Sequence, residues 1–226
     1  MPAYRSAAEA EIRDAVVARI REHRPRARII HEINASSYGN RIDLIAVDRM
    51  EIIAFEIKSA KDKLDRLPAQ MEAMKGVAHH AIPAIHERFL VEKETHAEAA
   101  HYEREGAFYL RERPAPYHYD GRMWVFPERR RCINPNWHDH MARWQFPAQR
   151  LDVALPWSAL HLLWRDELYD LCGALRISVS RRTTMDPMIQ QLRWLCTGKE
   201  LTRGICAMLR ARRCPEADPA IVELAA

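Results

Sequence analysis

The sequence predicts an α/β fold followed by a helical C-terminal region. Three observations support this prediction: an apolar helical repeat near the start, three runs rich in Ile, Val and Phe after it, and apolar residues at helical spacing from Pro156 onward. The predicted order in the first part is helix, three strands, helix, strand. With 226 residues, 48% of them hydrophobic, the chain can form one or two domains with a real core.

Each element of the first part has its own signals. The first helix begins at Ser6, because Ser6-Ala7-Ala8-Glu9 is a capping-box pattern, and Pro25 ends it. A second helix, over residues 67–75, has a proline in its first turn. In the strand that follows, Pro83 favours an edge position or an early end of the strand. Residues 87–105 are predicted to be helical. The predicted strands are Ala27–Asn34, Arg41–Asp48, Glu51–Lys58 and Val77–Ile85.

The second part is less regular at first and then helical. Residues 111–150 are rich in proline and arginine, and only Met123–Phe126 is predicted to be a strand. Three helices follow, and the last begins at a second capping box, Thr197-Gly198-Lys199-Glu200. We therefore expect an α/β domain over residues 1–135, a linker over residues 136–155 and a basic helical region over residues 156–226. Three tryptophans at helical positions are predicted to be core residues: Trp157, Trp164 and Trp194.

Basic residues are concentrated in the second half of the chain. Residues 111–226 contain 18 Lys/Arg and 13 Asp/Glu, whereas residues 1–110 contain 17 and 18. Arginine suits bidentate contacts with phosphate, although an arginine-rich composition also fits a GC-rich genome. A helical cap or a dimerisation element with solvated arginines is the alternative. The candidate phosphate contacts in this region are Arg181, Arg182, Arg210, Arg212 and Arg213.

Cysteine usage and hydropathy limit the compartment. The five cysteines are odd in number and include no C-x-x-C pair, which argues against a disulfide framework or a cysteine zinc site. No apolar stretch approaches the ~18 residues of a membrane helix, and no signal peptide is visible at the start. We expect a cytoplasmic protein without a membrane partner.

The chemistry-bearing pattern is a predicted hairpin between the second and third strands. If Arg49-Met50 is its turn, Asp43 lies opposite Glu56, and Lys58 shares their face. Two carboxylates this close repel each other, and a bound Mg²⁺ (or Mn²⁺) would explain the pairing. The alternative is a solvent-facing strand with a simple ion pair between Lys58 and Glu56. A slip of one residue would move Asp43 to the other face.

These residues also resemble a known family. Arg41-Ile42-Asp43, followed by Phe55-Glu56-Ile57-Lys58-Ser59, resembles the PD-(D/E)XK nuclease signature. Residues 11–74 resemble a narrower group of small bacterial and phage proteins within that superfamily, and Leu162–Leu168 resembles the group's C-terminal helix. Ile42 stands where the signature has proline, and Met74 where an aromatic residue is frequent. Neither departure removes a metal ligand.

The resemblance implies a restriction-endonuclease-like αβββαβ core and metal-dependent hydrolysis of phosphodiester bonds, with DNA as the expected substrate. It implies that Asp43, Glu56 and the backbone carbonyl of Ile57 bind Mg²⁺. It further implies that Lys58 orients the attacking water and that Gln70 supports the lysine or contacts DNA.

Further residues are expected to complete this site. Glu9 and Glu11 compete for the role of a second-metal or outer ligand. We favour Glu11, because it lies beside small alanines that let the helix approach the sheet, whereas Glu9 fits the capping box and an ion pair with Arg13. Glu32 is a further candidate, and Arg41 is a candidate nucleic-acid contact.

Two rival functions remain open from the sequence. One is a nucleic-acid-binding protein that keeps the fold without useful turnover. The other is an interaction protein of a defence or phage complex, whose nuclease a protein partner activates. A different site, His138-Asp139-His140, could serve a metal-binding or HNH-type nuclease. His79 and His80 are predicted to be a surface pair.

Overall fold

The computed structural model describes residues 6–34, 41–117 and 122–222. Its helices are α1 (Ala7–His23), α2 (Leu67–Lys75), α3 (Arg165–Ala174), α4 (Met185–Leu195) and α5 (Gly198–Ala211). Its strands are β1 (Arg28–Asn34), β2 (Arg41–Val47), β3 (Ile52–Lys58), β4 (His80–His86), β5 (Val91–Thr95), β6 (Tyr102–Arg104), β7 (Ala107–Glu112) and β8 (Trp124–Phe126). The predicted mixed α/β class with a helical C-terminal region is confirmed. Residues 35–40, which separate the first two predicted strands, lie outside the described residues.

The main sheet has five strands in the order β1-β2-β3-β4-β8. The β1–β2 and β2–β3 pairs are antiparallel, whereas β3–β4 and β4–β8 are parallel. In the β2–β3 hairpin, Leu44 pairs with Phe55 and Val47 with Ile52, which is the predicted register. Because β3, β4 and β8 run in the same direction, their carboxyl ends meet at one edge of the sheet.

The edge position predicted from Pro83 is wrong, since β4 lies between β3 and β8. Its pairing with β8 begins only at Ala84, one residue after the proline. Pro83 lacks a backbone N–H, but it lies before the part of β4 that pairs with β8, so that pairing loses no hydrogen bond.

Helices cover both faces of the sheet. On one face, Ile12, Val16 and Ile20 of α1 are fully buried against a cluster that contains Phe55 and Trp124. On the other face, α2 and the three C-terminal helices share one apolar cluster with β1, β2 and β4. The C-terminal helices thus complete the core of the sheet and are not an independently packed unit. They contribute Leu168, Leu171, Cys172, Met188, Ile189, Leu192, Leu201, Ile205, Cys206 and Leu209.

The predicted linker also packs against the sheet. Trp144 is buried and stacks on Trp124, with ring centroids 4.8 Å apart. The indole N–H of Trp144 donates to the carbonyl of Val125 at 3.0 Å. Residues 136–155 contain no helix or strand and most are exposed, but Met141, Trp144 and Leu155 are buried in the core.

The prediction of a helix over residues 87–105 is wrong. This segment contains β5 and β6, which pair on either side of β7 in a small antiparallel sheet. Its Glu and Lys residues favour a helix locally. Pairing with the aromatic strand β7 outweighs that preference, as is usual for strands whose stability comes from cross-strand contacts.

The helical region predicted from Pro156 onward begins with a short 3₁₀ turn over Trp157–Leu162, and the first α-helix, α3, starts only at Arg165. The three tryptophans predicted for the core are exposed, with 45% of Trp157, 54% of Trp164 and 81% of Trp194 accessible. Arginines cover two of their rings instead: Arg193 lies 3.8 Å from the Trp157 ring centre and Arg212 lies 4.3 Å from that of Trp164.

The C-terminal tail covers the outer edge of β1. The N–H of His31 donates to the carbonyl of Glu216 at 2.8 Å, and the N–H of Asp218 donates to the carbonyl of Ile29 at 3.0 Å. The buried guanidinium of Arg28 donates to the carbonyls of Leu209 and Asp218. These bonds occupy backbone groups that a free edge strand would leave open to another chain.

Candidate active site

The candidate site lies in a cleft of about 740 Å³ beside β2, β3 and the start of α2. Asp43 Oδ2 accepts a hydrogen bond from the N–H of Ile57 at 2.8 Å, which extends the hairpin register to this end of the strands. The carboxylates of Asp43 and Glu56 both line the cleft, together with Lys58 and Gln70. The sequence-predicted set is therefore brought together.

Glu56 is the most deeply buried acid of the cleft, with 2% of its surface exposed. Its Oε1 accepts from Lys58 Nζ at 2.7 Å and from the amide nitrogen of Gln70. Among the described residues, its Oε2 is buried without a hydrogen-bond partner, and so is Oε1 of Gln70. An unsatisfied buried oxygen costs about 1–3 kcal/mol. These two oxygen atoms therefore have unused capacity to accept a hydrogen bond or to bind a cation.

The electrostatics of the pair point the same way. Burial raises the pKa of Glu56 to about 7, and the negative charge of Asp43 adds to the shift. Burial also raises the pKa of Asp43, although the N–H of Ile57 and the positive charges of Arg13 and Lys58 oppose the shift. The site therefore resists carrying two negative charges unless a cation offsets them.

Arg13 supports Asp43 from α1. Its side chain is 1% exposed and donates to the backbone carbonyl of Asp43 at 2.6 Å and to Oε1 of Glu9 at 2.6 Å. This contact turns the Glu9–Arg13 face of α1 toward the site, and Glu9 lines the cleft. Glu11, two positions further along the helix, is exposed and does not line it. The preference for Glu11 was wrong: Glu9 is the acid of α1 that lies at the site.

Glu32 lies across from Asp43, between the paired residues His31 and Ile33. Its φ of 57° is left-handed, a conformation that costs a non-glycine residue roughly 1–3 kcal/mol and that the surroundings must enforce. Its buried carboxylate binds Arg13 at 3.1 Å and Arg41 at 2.7 Å. Glu32 therefore holds two arginines beside the site, and one of them, Arg41, lines the cleft.

Sequence reasoning missed a group of cations at the mouth of the cleft. Lys61, Lys63 and Arg66 line it between β3 and α2, and all three are exposed. Asp62 organises this loop by accepting from the N–H and the hydroxyl of Ser59, each at 2.7 Å. Among the residues described, none of the three cations forms an ion pair within 4 Å. The alternation of charges directly after Lys58 was the available signal.

The C-terminal arginines divide into two groups. Arg181, Arg182 and Arg213 are exposed. Arg210 and Arg212 are 5% exposed, and Arg212 binds Glu167 with its Nε at 2.6 Å and the carbonyl of Leu162 at 2.7 Å. The prediction of Arg210 and Arg212 as phosphate contacts is therefore wrong, because both side chains are buried in the helical region and are not accessible to a phosphate.

The histidine alternative lies in another part of the structure. His138 and His140 are exposed, with ring centroids 4.4 Å apart. Nearby, the potential ligand atoms of His101, Cys132 and Asp139 lie within 4.8 Å of one another.

Hydrogen bonding makes this group a poor metal site. The N–H groups of Arg131, Cys132 and Met141 all donate to the Asp139 carboxylate. Nδ1 of His101 accepts the N–H of Arg111 at 3.0 Å, so the proton of the neutral ring is on Nε2. The cluster organises its loop without offering a free imidazole nitrogen. The surface pair predicted at His79-His80 is also wrong, since His80 is buried and His79 partly buried.

Comparison with known proteins adds one finding. Residues 3–98 match the family model described as Bacteriophage P4 protein cII. The match covers less than half of the 226 residues, but it contains Glu9, Asp43, Glu56, Lys58 and Gln70. Neither the curated proteins nor the solved structures include a significant match. No helix among the described residues is long and apolar enough to cross a membrane.

Proposed function

We propose that the chain is a Mg²⁺-dependent nuclease of the PD-(D/E)XK type, with a restriction-endonuclease-like core, that hydrolyses phosphodiester bonds in DNA. One observation carries this proposal. The buried carboxylate of Glu56, the partly buried one of Asp43 and a lysine converge in one open cleft, and a buried oxygen of Glu56 has no hydrogen-bond partner among the described residues. The order helix, three strands, helix, strand and the spacing of Asp43, Glu56 and Lys58 agree with the resemblance stated above.

The residues present suit a hard divalent cation. Mg²⁺ prefers oxygen ligands, commonly one or two carboxylates with waters and substrate phosphate. Asp43, Glu56 and the carbonyl of Ile57 would hold it, with Glu9 as the acid of α1 near the site. When bound, the cation supplies a water of lowered pKa and offsets charge on the scissile phosphate.

The side chains around this set have distinct tasks. Lys58 places an ammonium group 2.7 Å from Glu56 Oε1, where it can donate a hydrogen bond to the attacking water or to a phosphate oxygen. Gln70 fixes the orientation of the Glu56 carboxylate through its amide nitrogen. Arg13, locked between Glu9 and the Asp43 carbonyl, keeps β2 in place behind the site.

Substrate capture falls to the exposed cations of the cleft. Lys61, Lys63 and Arg66 project from one loop at its mouth, and Arg41 approaches from β2. Among the described residues, Lys61, Lys63 and Arg66 form no ion pair, so they can contact phosphates beside the scissile bond without breaking one, whereas Arg41 is held by Glu32.

Crystals soaked in millimolar Mn²⁺ test the metal site directly. We expect anomalous density between the carboxylates of Asp43 and Glu56. An empty position with the Lys58–Glu56 bond retained would overturn the proposal. Plasmid, single-stranded DNA and RNA incubated with Mg²⁺ or Mn²⁺ then identify the substrate.

A second candidate function is a nucleic-acid-binding or partner-activated protein of a phage or defence system that uses the same fold. The match to the Bacteriophage P4 protein cII family favours a phage-related setting. Cleavage assays with and without cell extract separate the two. Activity that appears only with extract supports partner activation, whereas equal activity in both supports a free-standing enzyme.

A further inference from the structure

A second pocket, of about 320 Å³, contains four arginines. We call it the arginine pocket. Its lining contains four guanidinium groups and a single carboxylate, that of Glu87. Its lining residues are Glu87, His101, Tyr102, Arg111, Arg129, Arg130 and Arg131.

Direct hydrogen bonds hold three of these guanidinium groups in place, and the fourth, that of Arg111, lies over the Tyr102 ring. Arg129 binds both oxygens of Glu87, at 2.8 and 2.9 Å, and Arg131 binds the same carboxylate at 3.2 Å. Arg130 donates to backbone carbonyls, including that of Trp137 at 2.8 Å. The side chain of Arg131 is 5% exposed, and its Nε is buried without a hydrogen-bond partner in the part of the chain that the structure describes. Positively charged guanidinium groups are thus held close together around Arg131, which has a hydrogen-bond donor left unused.

The pocket is at the same edge of the sheet as the candidate active site. Lys58 pairs with Ile85, and Ile85 pairs with Val125, so these residues form one row across β3, β4 and β8. Glu87 follows directly after β4, and the three consecutive arginines follow shortly after β8. Two strand spacings correspond to ~10 Å across the sheet.

We propose that the arginine pocket binds a phosphate group. Guanidinium groups match phosphate oxygens bidentately, and a phosphate would satisfy the donors that one carboxylate leaves in excess. The phosphate could come from the nucleic-acid strand that enters the cleft or from a free nucleotide. That the phosphate comes from a nucleic-acid strand rests on the proposed function. Binding of a phosphate by the arginine pocket does not itself require that the protein cleaves nucleic acid.

The test compares the full-length protein with two double variants. Arg129→Gln/Arg130→Gln removes two exposed guanidinium groups of the pocket and leaves the buried Arg131 with Glu87. Arg26→Gln/Arg203→Gln removes the same charge at two exposed arginines outside the pocket. Binding of a fluorescent single-stranded oligonucleotide, and separately of ATP, is measured by anisotropy and calorimetry in EDTA. Circular dichroism melting checks that each variant is folded.

We expect the pocket variant to bind one or both probes about tenfold more weakly, as a lost charged hydrogen bond implies, and the control variant to bind like the parent. Loss of oligonucleotide binding, with a salt slope lower by ~0.7 per lost contact, assigns the phosphate to the substrate strand. Loss of ATP binding alone assigns it to a free nucleotide. An Arg129→Lys/Arg130→Lys variant should recover part of the affinity.

Equal binding of both probes by the parent and the pocket variant would overturn the proposal. An equal loss in the control variant would also overturn it, since the effect would then reflect net charge. Because the measurements use EDTA, a failure of metal-dependent cleavage does not affect either result.

Discussion

The cleft and the C-terminal helices both contain charged residues that the sequence predicts to be functional. The two regions differ in whether the buried charged groups have hydrogen-bond partners. In the cleft, a buried oxygen of Glu56 has no hydrogen-bond partner among the described residues and lies beside a second carboxylate. In the helices, the guanidinium of Arg212 is occupied by Glu167 and a backbone carbonyl. Burial with spare bonding capacity indicates a binding site, whereas burial with satisfied bonds indicates architecture. The difference makes the two regions separable by mutation.

The largest expected effect is in the cleft. Replacing Lys58 by alanine should slow cleavage about 10²–10⁴-fold, the range for a group that acts on the reacting water. Substrate binding should change little, because the exposed cations of the cleft remain. Turnover and binding are measured separately, and Lys75→Ala, on the exposed face of α2, is the matched control. Undiminished turnover in Lys58→Ala would place the active site elsewhere.

The second effect is in the helices. Arg212→Gln should lower the free energy of unfolding by about 3–5 kcal/mol, because it leaves the Glu167 carboxylate without its buried partner. The neighbouring Arg213 is exposed, so Arg213→Gln should change it by less than about 0.5 kcal/mol. Urea unfolding measures both. Equal stability of the two variants would contradict the structural role of Arg212.

The sequence could predict the hairpin that pairs the strands of Asp43 and Glu56, because two consecutive apolar runs are separated by a short turn at Arg49-Met50, which sets the register. It could not decide between Glu9 and Glu11. Two positions on a helix point in nearly opposite directions, and only the contact of Arg13 with the Asp43 carbonyl sets the rotation of α1. Such contacts join residues 30 positions apart, and no local pattern contains them.

The other failures have related causes. Residues 87–105 have helical propensity but form strands, because their partner strand β7 lies further along the chain. The tryptophans at helical spacing were predicted to be buried. Two of them instead lie under arginine side chains at the surface. Hydrophobic spacing alone does not distinguish a core ring from a ring covered by a cation.

The third effect is a pH dependence that belongs to the cleft. Since folding raises the pKa of Glu56 from about 4.5 to about 7, the folded protein binds more protons than the unfolded chain between these values. Without metal, this group therefore stabilises the fold fully below pH 4.5, and the contribution, up to about 3 kcal/mol, is lost as the pH rises through 7. Divalent metal should restore stability at pH 8, because it favours the charged carboxylates.

This contribution is measured from melting temperatures in EDTA between pH 5 and 8. It is the difference between the pH dependence of the parent protein and that of Glu56→Gln. The variant should lack the fall toward pH 8. Burial lowers the pKa of His31 to about 4, so this residue gives the opposite slope, a loss of stability as the pH falls below 6.5, in both proteins. Identical pH profiles would show that Glu56 titrates normally.

The smallest effect decides which region captures the nucleic acid. Lys61 and Lys63 line the cleft mouth, whereas Arg181 and Arg182 lie between α3 and α4 and do not line the cleft. All four are exposed, so each pair can be replaced by glutamine with little loss of stability. In EDTA, each lost phosphate contact should reduce the log–log salt slope on duplex DNA by ~0.9. We expect Lys61→Gln/Lys63→Gln to reduce it by ~1.8 and Arg181→Gln/Arg182→Gln to leave it unchanged. If only Arg181→Gln/Arg182→Gln lowers the slope, the helical region binds the substrate, and the cleft contributes only to the cleavage step. Equal reductions would mean that the bound duplex spans both surfaces, because counterions are released only where phosphates are contacted.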